Sequence, residues 1–391
     1  MNHRRPDRAS TLASRRNVLA LGGAVTLSSL GGCLGGVAET TDTVSFGTLP
    51  IAAVAEIFIA RDRGFFADRD IELEIERISG ASQAVPELAS GDLDVASGSI
   101  GAGMFNSIAQ GVPVRAVADQ TQYWERQPSG NRFWIREELY SEGMSFSDLP
   151  ERPTVAINSE ANAMDYLLGR LLQLNDMGWE DVSVTEMPFP DMIPAMGSGE
   201  IDACTIPDPL GLQVASETGA GQLLYGSQLA PRMQIATYFF GEPFAQDRPD
   251  VARRWLEAYL LGVREYYDMG GFPSEEVASI VNEAIEVPAA AIQASVPSLV
   301  HKNGRINVDS LMRQQEYHAC RGYLDETVGA DEVVDQSPLD AALEEVGRLD
   351  EDEATPSVET IEEWSQAAPA PYPPVGEVTV PDGFPNERIC E

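Results

Sequence analysis

Leu88-Ala89-Ser90-Gly91-Asp92-Leu93-Asp94-Val95-Ala96 decides how this chain is read, because the device it contains returns as Met196-Gly197-Ser198-Gly199-Glu200-Ile201-Asp202-Ala203. In both, a helix is stopped by a glycine that can take the left-handed backbone of a C-cap, a short acidic turn follows, and a buried strand begins. Outward from the first copy, β-like runs at 44–47, 71–78, 94–97 and 113–118 alternate with helical runs at 53–63 and 82–90 and a helix closing near Gln110-Gly111. Around the second copy the pattern repeats, with strands at 132–136, 154–158, 182–187 and 202–206 and helices at 160–177 and 191–196. Such alternation predicts an α/β fold in two similar lobes, each a mostly parallel sheet flanked by helices, with a cleft between them. A chain of 391 residues is long enough to bury two cores.

The crossings set the expected domains. Asp119-Gln120-Thr121 leaves the first lobe, and a returning strand at 233–240 leads to helices at 249–268, 274–286 and 308–326 that pack back on it. Lobe 1 is therefore expected at 43–119 and 240–328 and lobe 2 at 120–239, with hinges at 119–121 and at Phe240-Gly241. Residues 329–391 read as an acidic, then proline-rich, extension, with docked and mobile forms both open.

Ligands of open α/β sheets bind beyond the carboxyl ends of the strands, where helix N-termini offer unpaired N–H groups. That points to Leu49, Pro50 and Ile51, to Ser97, Gly98 and Ser99, to Ser159 and Asn162, and to Asp208, with Gln120 and Thr121 at the first crossing. Hydroxyls donate and accept, and the Asn162 amide does both, yet each of these residue types also serves as a helix cap. Tyr123 and Trp124 can stack on a planar ligand or brace the hinge, and Arg132 can meet an anion or a carboxylate.

The formal charge of −36 comes from 62 acidic against 26 basic residues, and Lys302 is the single lysine. Such a surface repels nucleic acid, which needs Lys and Arg to displace counterions. It suits a cationic ligand less than it resembles the hydrated, acidic surfaces of proteins from salt-loving archaea.

At the amino terminus, Ser14-Arg15-Arg16-Asn17-Val18-Leu19 followed by the apolar run 20–30 has the layout of a secretion signal, and the paired arginines resemble a twin-arginine signal. The run is too short and too rich in Gly and Ser to span a membrane. Leu30-Gly31-Gly32-Cys33 resembles a lipobox. Residues 1–32 are thus expected to be removed, Cys33 to carry the lipid, and 33–42 to form a flexible tether holding an extracytoplasmic protein to the cell membrane. A single acyl chain binds only marginally, so a double-chain lipid is expected. Cys204, Cys320 and Cys390 show no metal-ligand spacing, and which of them pair is open.

His3, His301 and His318 are the only histidines, and neither HExxH nor a phosphate-binding GxxxxGK[ST] occurs. No catalytic residue, cofactor or metal is expected.

Leu49 to Phe66, ending Ala60-Arg61-Asp62-Arg63-Gly64-Phe65-Phe66, then the Leu88–Ala96 stretch, Gly111-Val112-Pro113-Val114, and the Met196–Ala203 stretch follow one another in an order that resembles a known family. That family is the nitrate, sulfonate, taurine and thiamine-precursor binding proteins of ABC transporters, and the similarity spans roughly residues 43–270. The resemblance implies a type II periplasmic-binding-protein-like fold. It also implies a monomer that takes a sulfonate-, nitrate- or taurine-like anion between its lobes and passes it to permease and ATPase subunits. A pyrimidine-type thiamine precursor, and a sensor with no transport role, stay open beside it. Fold relatives that synthesise the thiamine pyrimidine carry a cysteine-rich motif that this chain lacks, so the resemblance implies no enzyme.

Overall fold

The computed structural model describes residues 41–124 and 127–368. The expected signal, Cys33 and the proline-rich end lie outside the described residues. Strands β1 (Asp42–Thr48), β2 (Ile71–Arg77), β3 (Val95–Gly98) and β4 (Val114–Gln122) are followed by β5 (Asn131–Ile135), β6 (Thr154–Ile157), β7 (Ser183–Glu186), β8 (Ala203–Pro207), β9 (Gly221–Tyr225) and β10 (Gln234–Gly241). Helices α1 (Ala55–Asp62), α2 (Val85–Ser90) and α3 (Ala102–Ala109) lie among the first strands, and α4 (Ala163–Leu174), α5 (Phe189–Ser198) and α6 (Leu210–Thr218) among the second.

The first sheet runs β2-β1-β3-β10-β4, with β1 parallel to β2 and β3 and β10 antiparallel to both its neighbours. The second runs β7-β6-β8-β5-β9, with β6 parallel to β7 and β8 and β5 antiparallel to both its neighbours. The two lobes share one plan. In each, the antiparallel strand is the one by which the chain arrives from the other lobe.

The repeated glycine-acid device explains that likeness. Gly91 and Gly199 cap α2 and α5 in the left-handed region, at φ 79° and 76°. The aspartate that follows then reaches sideways: Asp94 accepts from the Ser45 N–H of β1, and Asp202 from the Thr154 N–H of β6. Each clamps the neighbouring parallel strand, and each is paired with an arginine, Arg248 and Arg136 respectively.

Several expected boundaries move. Gln234 stands opposite Gln122, and Thr237 opposite Asp119, so 120–122 and 234–239 belong to the first sheet and not to the second lobe. The hinge positions expected at 119–121 and at Phe240-Gly241 lie inside this ladder, where rotation would break interstrand hydrogen bonds. The chain crosses instead after Gln122 and again before Gln234. Asp42, expected in the tether, opens β1. Residues 330–368, expected to start an extension, dock on lobe 1: Val334 bridges Ala116 of β4, and Trp364 meets Tyr266 and Tyr267 with ring centres 5.6 and 5.3 Å apart. Helix α6 and strand β9 are elements that the expected alternation does not include. Cys320 is held in a disulfide, and Cys204 is free and buried.

A third passage joins the lobes. The Leu299 carbonyl accepts from the Gln122 N–H in lobe 1, while the Val296 N–H donates to Asp208 in lobe 2 at 3.0 Å.

The core of lobe 1 is aromatic, with Phe46, Tyr238, Trp255 and Tyr259 fully buried and in mutual contact. Each such side chain contributes about 1.5–3 kcal/mol by leaving water. Inside this cluster sits Glu56 of α1, accepting from the Tyr238 hydroxyl at 2.5 Å. Burial pushes the Glu56 carboxyl up to about 8 from its ordinary 4.5. The folded protein therefore holds a proton there that the unfolded chain releases, and stability falls as pH rises across that window. Glu56→Gln keeps an acceptor for Tyr238 and removes the titration. Denaturant unfolding between pH 5 and 8 is expected to show the wild type losing on the order of 1 kcal/mol per pH unit over part of the window, with a flatter profile in the variant.

Candidate functional site

The loop after the carboxyl end of β3 meets the loop after that of β6, where the Ala102 N–H donates to the Ala161 carbonyl, and the expected cleft has one wall from each lobe. On the first wall, Leu49, Pro50 and Ile51 follow β1, Ser97 and Gly98 end β3, and Ser99 follows it. The Ser97 hydroxyl is buried and donates to the Thr48 hydroxyl at 2.8 Å, which donates in turn to the Leu49 carbonyl. This relay fixes the β1 loop against β3. Ser99, two residues on and just past the end of β3, is half-buried at the start of the loop into α3.

Gln120 and Thr121 are buried near the end of β4. Gln120 Nε2 approaches the Ala53 carbonyl at 3.4 Å, and its Oε1 has no partner among the described residues. The Thr121 hydroxyl turns to the Leu299 carbonyl of the third passage. Trp124 is buried with the Arg232 guanidinium 4.5 Å above its ring, so that face is already covered. Tyr123 points into the second core and donates to Asn131 at 2.9 Å. It acts as a brace, not as a stacking platform.

On the second wall, the Ser159 hydroxyl lies against the Glu160 carbonyl at 3.1 Å. Asn162 is the N-cap of α4, accepting from the Met164 and Asp165 N–H groups at 2.8 and 3.3 Å while donating to Asn158. Asp208 is committed as well. Its carboxylate meets Arg132 at 2.5 Å and the Val296 N–H, and neither charged side chain is more than 3% exposed. Arg132 also donates to Gln222 and lies over Trp134 and Tyr225. Removing one member of such a pair costs about 3–5 kcal/mol, so this ion pair belongs to the wall's construction.

Among the described residues the lobes meet at several places. Val296 to Asp208 is one; another is the segment 308–321, where the Tyr317 hydroxyl donates to Asp165 and Arg321 lies over Trp179; a third is the Ala102 N–H at the start of α3, which donates to the Ala161 carbonyl of lobe 2 at 2.8 Å. Ala161, Ala102 and Val296 were not picked out from the sequence, because backbone contacts leave no mark in residue type. Only the glycines at 98, 101 and 103 hint at a close approach there.

Groups suited to other chemistry lie elsewhere. His318 is fully buried among Phe105, Tyr317 and Tyr323, and burial pushes it down to about 4. Burial pushes the Cys204 thiol far up, away from its nucleophilic form. Among the described residues no group of three His, Cys, Asp or Glu side chains is placed to hold a metal, and no helix is long and apolar enough to cross a membrane.

Comparison with solved structures finds the same two-lobed architecture at low sequence identity. The periplasmic nitrate-binding protein NrtA from Synechocystis PCC 6803 matches with a TM-score of 0.64 at 17% identity, covering 82% of this chain and 92% of its own. The ligand-binding component of an ABC-type import system from Staphylococcus aureus gives 0.64 at 16%, covering 77% and 98%. The periplasmic aliphatic sulphonate binding protein SsuA from Escherichia coli gives 0.59 at 17%, covering 76% and 99%. No curated protein matches the chain. The profile of the NMT1-like family matches residues 37–270, more than half of the sequence and all of both sheets. With two periplasmic-binding-protein lobes and that match, the chain belongs to the NMT1-like family.

Proposed function

We propose that this chain is the extracytoplasmic, lipid-anchored solute-binding component of an ABC importer, which closes its two lobes on a small sulfonate-, nitrate- or taurine-like anion and delivers it to the permease. The observation that carries the reading is the cleft itself: loops from the carboxyl ends of strands in both sheets face each other and meet at Ala102 and Ala161. A solute held there touches both walls, so its binding energy favours the closed form, and the closed form is what a permease can distinguish from the empty receptor. Hydroxyls at Ser99 and Ser159 and the amides leading into α3 are donors suited to an oxyanion.

The pyrimidine reading loses its sequence support, since Tyr123 is turned into the core and the Trp124 face is covered by Arg232. The membrane anchor rests on Arg15-Arg16 and Leu30-Gly31-Gly32-Cys33.

Two outcomes are expected. In a thermal-shift screen of the mature protein in high salt, nitrate, ethanesulfonate or taurine at about 100 Kd adds roughly 2.7 kcal/mol of stability. Ser99→Ala or Ser159→Ala weakens that binding about tenfold. No stabilisation by any anion of the panel would refute the ligand class, and stabilisation by a pyrimidine alone would replace it. In the native host, the protein fractionates with membranes and Cys33→Ser is recovered in soluble form; a variant that stays in the membrane fraction would refute the lipid anchor.

A further inference from the structure

We propose that the closed form is latched by one backbone contact that Gly101 admits, the Ala102 N–H donated across the cleft to the Ala161 carbonyl. The inference rests on the solute-binding reading of the cleft and names the residues that set how readily it closes.

Gly101 is the N-cap of α3, at φ −122° and ψ 177°. This is extended backbone that any residue adopts, so the conformation of lobe 1 gives no reason for glycine here. The reason comes from the other lobe. A Cβ at this position would stand 2.7 Å from the Ala161 carbonyl oxygen and 3.6 Å from the Asn162 Cα, and 3.5 Å from the Ser82 hydroxyl of its own lobe. The nearest atom is backbone, which cannot swing aside as a side-chain tip can. Glycine at 101 is thus needed when the lobes are together and dispensable when they are apart.

The acceptor is built for the contact. Ala161 takes φ +55°, a left-handed backbone that costs an L-residue free energy and persists only where its surroundings impose it. Immediately after it, Asn162 fixes the first turn of α4 through two N–H bonds, so the Ala161 carbonyl is presented from a rigid support. The donor is one of the N–H groups that a helix start leaves without an internal partner. With the lobes apart it bonds to water, and with them together it bonds to Ala161. Such an exchange is close to balanced, which suits a receptor that must also open.

Gly103, in the first turn of the same helix, provides the control. A Cβ there would meet only Ser82 of its own lobe, at 3.5 Å, an ordinary contact.

The test uses the mature protein with spin labels on Asp92→Cys and Glu180→Cys, exposed positions on lobes 1 and 2, and pulsed dipolar spectroscopy of the solute-free form. Gly101→Ala is expected to lower the closed-to-open ratio about tenfold or more. Gly103→Ala is expected to keep the wild-type distances, with circular dichroism and melting showing that both variants fold. Gly101→Ala with wild-type distances, or an equal shift in Gly103→Ala, would overturn the latch. Calorimetric titration of the wild type with nitrate and ethanesulfonate judges the solute reading separately, because the latch is read from distances that require no solute.

Discussion

Asp119, with no exposed surface, holds the three passages between the lobes together. Its carboxylate accepts from Gln122 on the outgoing strand, from Gln234 on the returning strand, and from the His301 N–H on the third segment. Gln234 extends the node: its amide oxygen accepts from the Asn307 N–H, its own N–H donates to Ser310, and Gln314 donates to its carbonyl. Burial pushes the Asp119 carboxyl up to about 7, a cost that three donors offset in part. A buried polar network of this kind specifies one register, since any slip leaves several polar groups unpaired. The strands that leave and return are thereby locked as one ladder, which under the proposed closure confines relative motion of the lobes to the chain beyond Gln122 and before Gln234.

That confinement shapes the cleft. With the ladder fixed, the loops after β1, β3, β6 and β8 are the parts that approach one another. Their positions are set from behind, by the Ser97 to Thr48 relay, the Asn162 cap and the Arg132–Asp208 pair. The charged groups Asp208 and Arg132 are spent on construction, and under the proposed reading small hydroxyls and backbone amides are what remains for a solute. Asp94 and Asp202, holding equivalent strands in the two sheets, show that the lobes are built alike as well as placed opposite each other.

The sequence disclosed the lobes more readily than the site. Helix stops at Gly91 and Gly199 and the acidic turns after them are local signals, and local signals survive in one dimension. The span 249–268 was legible as a helix because its apolar positions recur on one face, with Trp255, Tyr259, Val263 and Tyr266 all buried. The crossings were misplaced because a strand that continues into a neighbouring segment looks the same as one that ends. Only the pairing of Gln122 with Gln234 shows where the sheet stops. Site residues were harder still. Asn162 and Asp208 follow β6 and β8, and both spend their side chains on internal bonds. Among the contacts that join the lobes, Ala102 to Ala161 uses backbone atoms on both sides and Val296 to Asp208 on one, and residue identity does not encode these.

The central claim is that one small solute lies between the lobes and is touched by both. A crystal structure of the mature protein grown with nitrate or ethanesulfonate tests it most directly. The account predicts density for the anion enclosed between the loop 97–101 and the loop 158–162, with the Ala102 to Ala161 contact formed. Density on an outer surface, or an anion held by one lobe with the cleft open, would contradict it.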